Sequence, residues 1–181
     1  MRVQKLRGLP DMAATYPAPH DHRIYGHGHH VRIEVTKALA RWHGRDCAKA
    51  ADLSCGNGEV LANLPMEGTY GDFAPGWPIQ GPIDETLKTL DHVDIFLCNE
   101  TLEHLEHPAI TLCAIREKAS KLILSTPVDA WDDSNGEHLW AWDREFVEVL
   151  LHDSGWHVDG YASFDSRPLG EPYNYGMWAA S

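Results

Sequence analysis

Two carboxylates and an imidazole stand close together in the segment NETLEHLEHP, and a second imidazole follows after the next apolar run. Glu103 and His104 follow Glu100 by three and four residues, and His138 is the later histidine. If residues 100–104 begin a helix, the first three side chains share one face. Such a set suits Mg²⁺, Mn²⁺, Fe²⁺, Co²⁺ or Zn²⁺ better than Ca²⁺. The pattern predicts a divalent-metal site, with buried polar residues that serve the fold as the alternative.

The same histidines offer a metal-free chemistry. A neutral imidazole accepts a proton near physiological pH, which makes His104 or His138 the best candidate general base for a hydroxyl group. Both residues are therefore candidate catalytic residues for a reaction without a metal, and candidate ligands if a metal is bound.

A glycine-bearing turn in the segment AADLSCGNGE follows a strand pattern and precedes a helix pattern. Gly56 and Gly58 allow the backbone to approach a ligand closely, and the helix N-terminus offers N–H groups to a negative group. Asp72 stands twenty residues after Asp52, at the end of the next strand pattern. An acid in that place accepts both hydroxyls of a ribose in dinucleotide-binding folds. The two features together predict a site for a nucleoside-containing ligand.

These residues need a sheet to position them. The apolar runs over 93–98 and 121–127 predict strands covered on both faces, a weaker strand is predicted over 77–83, and a helix over 31–42. Alternating strands and helices indicate a parallel sheet with helices on both faces. The last two strand patterns have no helix between them, which predicts an antiparallel edge hairpin.

The chain divides into an arm and one domain. Residues 1–28 are rich in Pro, Gly and His without periodicity, and are predicted to form an arm or lid in which Tyr25, His27 and His29 close over the ligand. Residues 29–181 are predicted to form the single ligand-binding domain.

Charge and composition narrow the classes of partner. The 181 residues carry 27 acidic and 15 basic side chains, a net charge of −12, which disfavours nucleic acid as the main partner. The sequence contains neither a membrane-spanning apolar run nor a secretory signal. The four cysteines form no CxxC pair, so free thiols in a reducing cytoplasm are expected. The oligomeric state is left open.

The ordered series of motifs resembles the class I S-adenosylmethionine-dependent methyltransferases. Asp52–Gly58 resembles the loop that binds the methionine and nucleoside parts of the cofactor in that family. The resemblance continues through GDF (71–73), NETLEHL (99–105), LSTP (124–127) and EHLW (137–140), and covers roughly residues 30–181. It implies a Rossmann-like seven-stranded methyltransferase sheet, parallel with an antiparallel edge hairpin and helices on both faces.

The resemblance also implies roles for particular residues. The loop would hold the amino-acid end of the cofactor, Asp72 the ribose, and Phe73 the adenine face. Ile83 or Asp84 would contact the adenine edge, and Asn99 would border the methionine part. The implied cofactor-binding residues are Asp52, Ser54, Gly56, Asp72, Phe73, Ile83, Asp84 and Asn99. Ser54 stands where the family usually has glycine, and its Cβ narrows the room beside the methionine part.

The pattern of Glu100, Glu103 and His104 with a later His138 is similar to two metal-assisted branches of the family. These are the ubiquinone-biosynthesis O-methyltransferases and the small-RNA 3′-terminal 2′-O-methyltransferases. The resemblance implies methyl transfer from S-adenosylmethionine to an oxygen of a small molecule, with RNA 2′-O-methylation and a non-catalytic cofactor-binding protein as alternatives. A nicotinamide dehydrogenase is disfavoured because the turn lacks a third glycine.

Three tryptophans follow the strand predicted over 121–127. Loops at the carboxyl ends of strands bind substrates in sheets of this kind. An aromatic-walled pocket for a flat or sugar-like acceptor is therefore predicted, with lid and core packing as the alternative, from Trp131, Trp140 and Trp142.

Overall fold

A seven-stranded sheet runs through the centre of the protein, whose computed structural model describes residues 1–181. The strands are β1 Val3–Lys5, β2 Lys49–Asp52, β3 Glu67–Asp72, β4 Ile79–Gln80, β5 Val93–Asn99, β6 Ala119–Val128, β7 Trp140–Trp142, β8 Val158–Asp165 and β9 Asn174–Ala180. The helices are α1 Met12–Thr15, α2 His27–His43, α3 Glu59–Ala62, α4 Ile83–Thr89, α5 Pro108–Lys118 and α6 Arg144–Asp153. Single 3₁₀ turns lie at His22–Ile24, Leu102–His104 and Arg167–Leu169.

The strand order from edge to edge is β4, β3, β2, β5, β6, β9, β8. The first five strands are mutually parallel, whereas β9 runs antiparallel to both β6 and β8. The predicted Rossmann-like sheet with an antiparallel hairpin at its edge is confirmed. Because the chain order reverses between β2 and β5, the loops leaving these two strands diverge and a crevice opens at their carboxyl ends.

Strand β5 shows why the sheet is apolar on both faces. Ile95 and Leu97 pack with Ile33 of α2 in one hydrophobic cluster. Phe96 and Cys98 join the other cluster, which includes residues of α5 and α6 on the opposite face. Alternate side chains of a strand point to opposite faces, so the continuous apolar run is the mark of a central strand. The carboxyl end of β5 is therefore held firmly between two helical layers.

Two elements differ from the sequence prediction in their bounds. The strand predicted over 77–83 is reduced to Ile79–Gln80, and α4 begins at Ile83. Asp84 and Glu85 occupy the first turn of α4, where acidic side chains are favoured by the helix dipole. Helix α2 begins at His27, four residues before the predicted start. None of the helices combines the length and the apolar character that a membrane crossing requires.

A second, two-stranded sheet was not foreseen. Strand β1 pairs antiparallel with β7, and Val3 lies opposite Trp142. Strands of three residues are too short to show the alternation that identifies a strand in a sequence. The pairing ties the start of the chain to the segment that leads into α6.

The helix predicted to begin at residue 100 is wrong. Glu100 has a φ of 49°, which lies in the left-handed region and cannot continue into an α-helix. Its N–H donates to the carbonyl oxygen of Ser125 on β6 at 2.8 Å, so the pairing of β5 with β6 extends one residue further. Only a 3₁₀ turn follows, at Leu102–His104.

Candidate active site

A cleft of about 670 Å³ lies at the carboxyl edge of the sheet, where the strand order reverses. Its walls come from the loops after β2, β3, β5 and β6, from the hairpin between β8 and β9, and from the segment before α2. The volume falls within the range of about 300–1,000 Å³ that is typical of small-molecule sites.

The turn after β2 forms the floor of one end of the cleft, here called the cofactor end. Gly56 and Gly58 have φ values of 54° and 77°, which only glycine adopts readily. A Cβ at Gly56 would lie 2.8 Å from the carbonyl oxygen of His20, so the segment before α2 rests directly on this turn. Both glycines are required by the backbone, as the sequence predicted.

Two carboxylates lie at different depths beside this turn. Asp72 lines the cleft and accepts hydrogen bonds from the N–H groups of Gly56, at 2.8 Å, and Ala74, at 2.9 Å. Burial raises the pKa of Asp72, although these two bonds oppose the shift. Asp52 lies beneath the turn, where burial raises its pKa to about 7 against the opposing bond from the Ser54 N–H. Asp52 is therefore a supporting residue of the loop in this structure and does not line the cleft.

Ser54 follows β2 and Asn99 ends β5, the two strands that flank the switch point. The Ser54 hydroxyl is 2.7 Å from the Thr101 hydroxyl, so it links the ends of β2 and β5. Asn99 is only 9% exposed, and neither its side-chain oxygen nor its nitrogen has a hydrogen-bond partner. An unpaired buried amide costs free energy, and this one lines the cleft, where a polar ligand group would satisfy it.

The remaining predicted cofactor residues lie along the same end. Phe73 lines the cleft, and its ring packs edge-on against Tyr16 with 6.0 Å between centroids. Ile83 and Asp84 line it from the start of α4, and Asp84 accepts a hydrogen bond from the Thr111 hydroxyl at 2.5 Å. The structure thus brings together all of the predicted cofactor residues except the deeper Asp52.

At the other end of the cleft, here called the triad end, three side chains converge: His104 and His138 line the cleft, whereas Glu103 is buried next to them and is not a lining residue. Glu103, His104 and His138 each place a potential ligand atom within 4.8 Å of the other two. Glu103 is 1% exposed, its Oε2 accepts from the Thr126 hydroxyl at 3.0 Å, and its Oε1 has no partner. The unpaired Oε1 lies 3.8 Å from the Nε2 of His104. The three residues are called the triad below.

A surrounding layer fixes the orientation of the two imidazoles. The Nδ1 of His138 lies 2.6 Å from the Oδ2 of Asp133. The Nδ1 of His104 lies 3.0 Å from the Tyr16 hydroxyl and 3.1 Å from the backbone oxygen of Glu137. In each ring the hydrogen bonds engage Nδ1, which leaves Nε2 as the nitrogen free to bind a ligand. This arrangement is typical of metal-binding histidines.

The electrostatics of the triad favour an added cation. Burial, and then the neighbouring Glu100, raise the pKa of Glu103. Burial, and then His138, lower the pKa of His104 to about 3. Burial also opposes the charged form of His138, but the Asp133 bond and the Glu103 carboxylate outweigh it, so the pKa of His138 is raised. A divalent ion would hold Glu103 ionised and would use the neutral His104 as a ligand.

Glu100 lies outside the triad, although it was predicted as the fourth ligand. Its Oε1 accepts a hydrogen bond from the Ser125 hydroxyl at 2.8 Å, and Ser125 accepts in turn from Arg32 at 3.2 Å. The left-handed backbone at Glu100 places it on the strand ladder and away from the face shared by Glu103 and His104. Glu100 thus faces a buried guanidinium, while still lining the cleft.

Sequence reasoning missed Arg32 and Tyr16. Arg32 is 1% exposed, and its Nη2 lies 3.2 Å from the Nε2 of His29. Burial and the Arg32 charge lower the pKa of His29 to about 2 and that of His22 to about 4. An arginine within a helix pattern resembles a surface residue, so no local signal marks its burial. Tyr16 lies in a segment without periodicity.

The predicted tryptophan pocket is wrong. Trp142 is fully buried, and its indole nitrogen donates to the Thr126 hydroxyl. Trp140 donates to the backbone oxygen of Leu105, and Trp131 packs beneath the guanidinium of Arg2 at 3.9 Å. None of the three lines the cleft, although Trp131 lines a separate cavity of about 360 Å³ that shares Asn135, Pro172 and Tyr173 with it. Trp140 and Trp142 are held by the β1–β7 pairing. Aromatic walls come instead from Tyr16 and Tyr173.

The segment before α2 covers the cleft. Several of its side chains, Tyr25 among them, line the cavity. In the first turn of α2, His29 lines the cavity too, whereas His27 is exposed and does not. The start of the segment is held by β1, and its end by the α2 N-terminus, where the carboxylate of Glu171 accepts from two backbone N–H groups. The chain therefore crosses the cleft between two anchored ends.

The sequence matches no protein-family model and no curated protein sequence. Its fold, however, is similar to several solved structures. One is the 1,6-didemethyltoxoflavin-N1-methyltransferase of Burkholderia thailandensis with bound 1,6-didemethyltoxoflavin and S-adenosylhomocysteine, with a TM-score of 0.65, 16% identity, and coverage of 82% of this chain and 76% of that one. Another is the magnesium protoporphyrin IX methyltransferase of Synechocystis PCC 6803 with bound S-adenosylhomocysteine, with a TM-score of 0.62, 14% identity, and coverage of 84% and 83%.

A third similar structure, the cyclase SpnF, has a TM-score of 0.62 and 10% identity, with coverage of 93% of this chain and 88% of that one. At these identities the likeness shows the fold alone, which is the class I methyltransferase fold. Since a cyclase shares it, the fold by itself does not specify the reaction.

Proposed function

We propose that the protein transfers a methyl group from S-adenosylmethionine to an oxygen of a small-molecule acceptor, assisted by a divalent metal ion. The observation that carries this proposal is the single cleft that has the predicted cofactor residues at one end and the triad at the other. S-adenosylmethionine would supply an electrophilic methyl group on sulfur. The protein's own task is to hold the two reactants in line and to exclude water.

The cofactor end would bind the cosubstrate mainly through groups that are already in place. Asp72 presents a carboxylate at the end of β3, where it would accept the ribose hydroxyls. The unpaired amide of Asn99 would meet the polar amino-acid part. Phe73 and Ile83 supply apolar surface for the adenine. The fold's structural relatives with bound S-adenosylhomocysteine support this assignment.

The triad end fits a transition metal. Two imidazoles and one carboxylate suit Mn²⁺, Fe²⁺, Co²⁺ or Zn²⁺ better than Mg²⁺, which prefers oxygen ligands. The unpaired Oε1 of Glu103 and the two free Nε2 atoms are the atoms that would hold the ion. When bound, such an ion would lower the pKa of an acceptor hydroxyl. Asp133 and the Glu137 carbonyl would keep the two rings aimed at it.

Without a metal, His138 is the better general base of the two histidines. The lowered pKa of His104, about 3, makes that ring a weak proton acceptor. The raised pKa of His138 makes it a stronger one, and Asp133 would stabilise the imidazolium that forms. The metal-assisted mechanism is preferred because it also uses the unpaired Glu103 oxygen.

A cofactor-binding protein that does not transfer methyl groups is the second candidate. Two observations favour it: the cyclase among the similar folds, and Ser54, whose side chain stands beside the predicted methionine site. The Ser54 hydroxyl is bound to Thr101. RNA 2′-O-methylation would use the same triad, but the net charge of −12 opposes binding to a polyanion.

Two measurements on the purified full-length protein test the proposal. Calorimetry should detect binding of S-adenosylhomocysteine, and a separate titration should detect one Mn²⁺ per chain that EDTA removes. Radiolabelled S-adenosylmethionine should then pass its methyl group to a hydroxylated acceptor from a panel of catechols and polyols. Absence of S-adenosylhomocysteine binding to folded protein would defeat the methyltransferase assignment, whereas binding without any transfer would favour the second candidate.

A further inference from the structure

The charged residues that line the cleft are all acidic, and no lysine or arginine is among the lining residues. The six acidic lining residues are Asp72, Asp84, Glu100, Glu106, Glu137 and Glu171. Such an excess of one sign in a narrow cleft disfavours ligands of the same sign.

Five of these carboxylates are engaged in the protein's own hydrogen bonds. Asp72 and Glu171 accept from backbone N–H groups, and Asp84, Glu100 and Glu137 accept from hydroxyl groups. Glu106 and Glu137 lie on the loops that carry the triad, since Glu106 follows His104 by two residues and Glu137 precedes His138. The charge that an acceptor would meet is therefore concentrated at the triad end.

Glu137 is the one of these two residues that contacts the side chains around the triad. Its Oε2 accepts a hydrogen bond from the Tyr16 hydroxyl at 3.1 Å and lies 4.0 Å from the Nε2 of His20. Its backbone oxygen is the group that orients His104. The Glu137 side chain is 28% exposed, so its carboxylate stands next to the triad and still faces open space.

The nearby guanidinium groups do not compensate for this charge. Arg32 is buried behind the cleft and donates to Ser125, which in turn donates to Glu100. Arg7 donates to the backbone oxygen of Asp133. A carboxylate or phosphate on an acceptor would therefore find neither a lysine nor an arginine side chain among the residues that line the cleft.

Two tyrosines flank the triad. Tyr16 stands on the His104 side, with its ring edge-on to the imidazole and 6.3 Å between centroids. Tyr173 stands on the His138 side, with 5.4 Å between ring centroids, and its hydroxyl donates to Asp133 at 3.2 Å. Both line the cleft, so the space in front of the triad is bordered by aromatic surface and by carboxylate.

Building on the proposed function, we infer that the acceptor carries no anionic group beside its reacting hydroxyl, and that Glu137 is the residue that rejects one. The acceptor is a neutral or cationic molecule whose apolar or flat part lies between Tyr16 and Tyr173. In a partly open cleft, where solvent screens the charges, repulsion between the Glu137 carboxylate and an anionic group weakens binding by about tenfold. Nucleotides and carboxylated acids are thus disfavoured as acceptors.

The test uses three catechols that differ in one ring substituent: hydroxymethyl, aminomethyl or carboxylate. Their affinity is measured by calorimetry on the full-length protein with Mn²⁺ and S-adenosylhomocysteine present. The neutral and cationic catechols should bind about tenfold more tightly than the carboxylate. In Glu137→Gln, the affinity for the carboxylate-bearing catechol should rise by most of that tenfold factor, whereas the affinity for the neutral catechol should change by less than about threefold. Glu117→Gln, which alters an exposed carboxylate near the end of α5, should preserve the wild-type order.

The outcomes separate this inference from the proposed function. If the wild-type protein binds the carboxylate-bearing catechol as tightly as the neutral one or more tightly, the inference is overturned. It is also overturned if the order of the three affinities is the same in Glu137→Gln as in wild type. If S-adenosylhomocysteine binds but none of the three catechols does, the inference about the acceptor fails and the cofactor assignment stands. If S-adenosylhomocysteine itself does not bind, the proposed function fails first.

Discussion

The two ends of the cleft are built in different ways. At the cofactor end, the polar side chains are arranged around one local backbone turn at Gly56, whose N–H donates directly to Asp72 at the end of the adjacent strand. At the triad end, every candidate ligand atom belongs to a side chain, and the side chains come from two loops that follow β5 and β6.

This difference predicts how each end of the cleft responds to side-chain substitutions. A backbone turn keeps its shape as long as its glycines remain, so single side-chain changes should weaken the cofactor end by degrees. The triad needs three side chains held by further contacts, so the loss of one should remove its function. Variants at one end should also leave ligand binding at the other end largely intact, because no hydrogen bond joins a triad side chain to Asp72 or to the turn at Gly56.

The largest effect is expected from the triad. Glu103→Ala and His138→Ala should each lower Mn²⁺ affinity by at least about 100-fold, because one of three protein ligands is lost and loss even of an outer-layer partner costs about 10–100-fold. Affinity for S-adenosylhomocysteine should change by less than about threefold. Calorimetric titration of both ligands checks this, and circular dichroism establishes that each variant is folded.

The matched control for these variants is Glu100→Ala. Glu100 lies outside the triad and bonds to Ser125, but its charge raises the pKa of Glu103, so Mn²⁺ affinity should fall by much less than in the two triad variants. Normal Mn²⁺ uptake by Glu103→Ala and His138→Ala would eliminate the triad as a metal site. A loss of uptake in Glu100→Ala would restore the four-ligand set that the sequence predicted.

The next effect concerns the cofactor end. Asp72→Ala should weaken S-adenosylhomocysteine binding by about 1.5–3 kcal/mol, the scale of a lost hydrogen bond to a charged group. Mn²⁺ affinity should not change. Asp91→Ala, an exposed carboxylate near the amino end of β5, is the control. An unaltered dissociation constant in Asp72→Ala would remove this residue from the cofactor site.

The same contrast explains how far the sequence could predict the structure. The turn at Gly56 and the position of Asp72 at a strand end are local features, and the predicted sheet is confirmed. The position of Glu100 could not be predicted from the sequence. Its left-handed φ accompanies a hydrogen bond to β6, and no local sequence pattern specifies that bond. The predicted tryptophan pocket failed for a related reason, since the pairing of β1 with β7 decides where those rings point.

The burial of Arg32 and the reach of Tyr16 to His104 depend on contacts between residues far apart in the chain. Neither leaves a periodic signal in the sequence. The arrangement of the triad end therefore required a structure, whereas the turn and Asp72 at the cofactor end could largely be predicted from the sequence.

Tyr16 is the residue that joins the two ends, because its ring contacts Phe73 and its hydroxyl contacts His104. Tyr16→Phe removes the hydroxyl but keeps the ring. Mn²⁺ affinity should fall by about tenfold, the lower limit for loss of an outer-layer partner of a metal-binding histidine, while S-adenosylhomocysteine affinity stays within about twofold. Tyr25→Phe, which also lines the cleft but has no bond to the triad, should leave both affinities unchanged. A larger loss of S-adenosylhomocysteine affinity than of Mn²⁺ affinity would show that the segment serves the cofactor end instead.

The last effect is on stability and concerns the buried Asp52, whose pKa rises from about 4 in an unfolded chain to about 7 in the fold. Between these values the folded protein binds more protons than the unfolded chain, so the free energy of unfolding should decrease as the pH rises from about 4 to 7. Asp52→Asn cannot ionise and keeps an oxygen to accept from the Ser54 N–H, so it should flatten this dependence by up to about 4 kcal/mol. Urea unfolding with EDTA present, at a series of pH values, measures the slope, and Asp91→Asn provides the exposed control. An identical slope in Asp52→Asn and wild type would mean that the pKa of Asp52 is the same in the folded protein and in the unfolded chain, and would contradict its raised pKa beneath the turn.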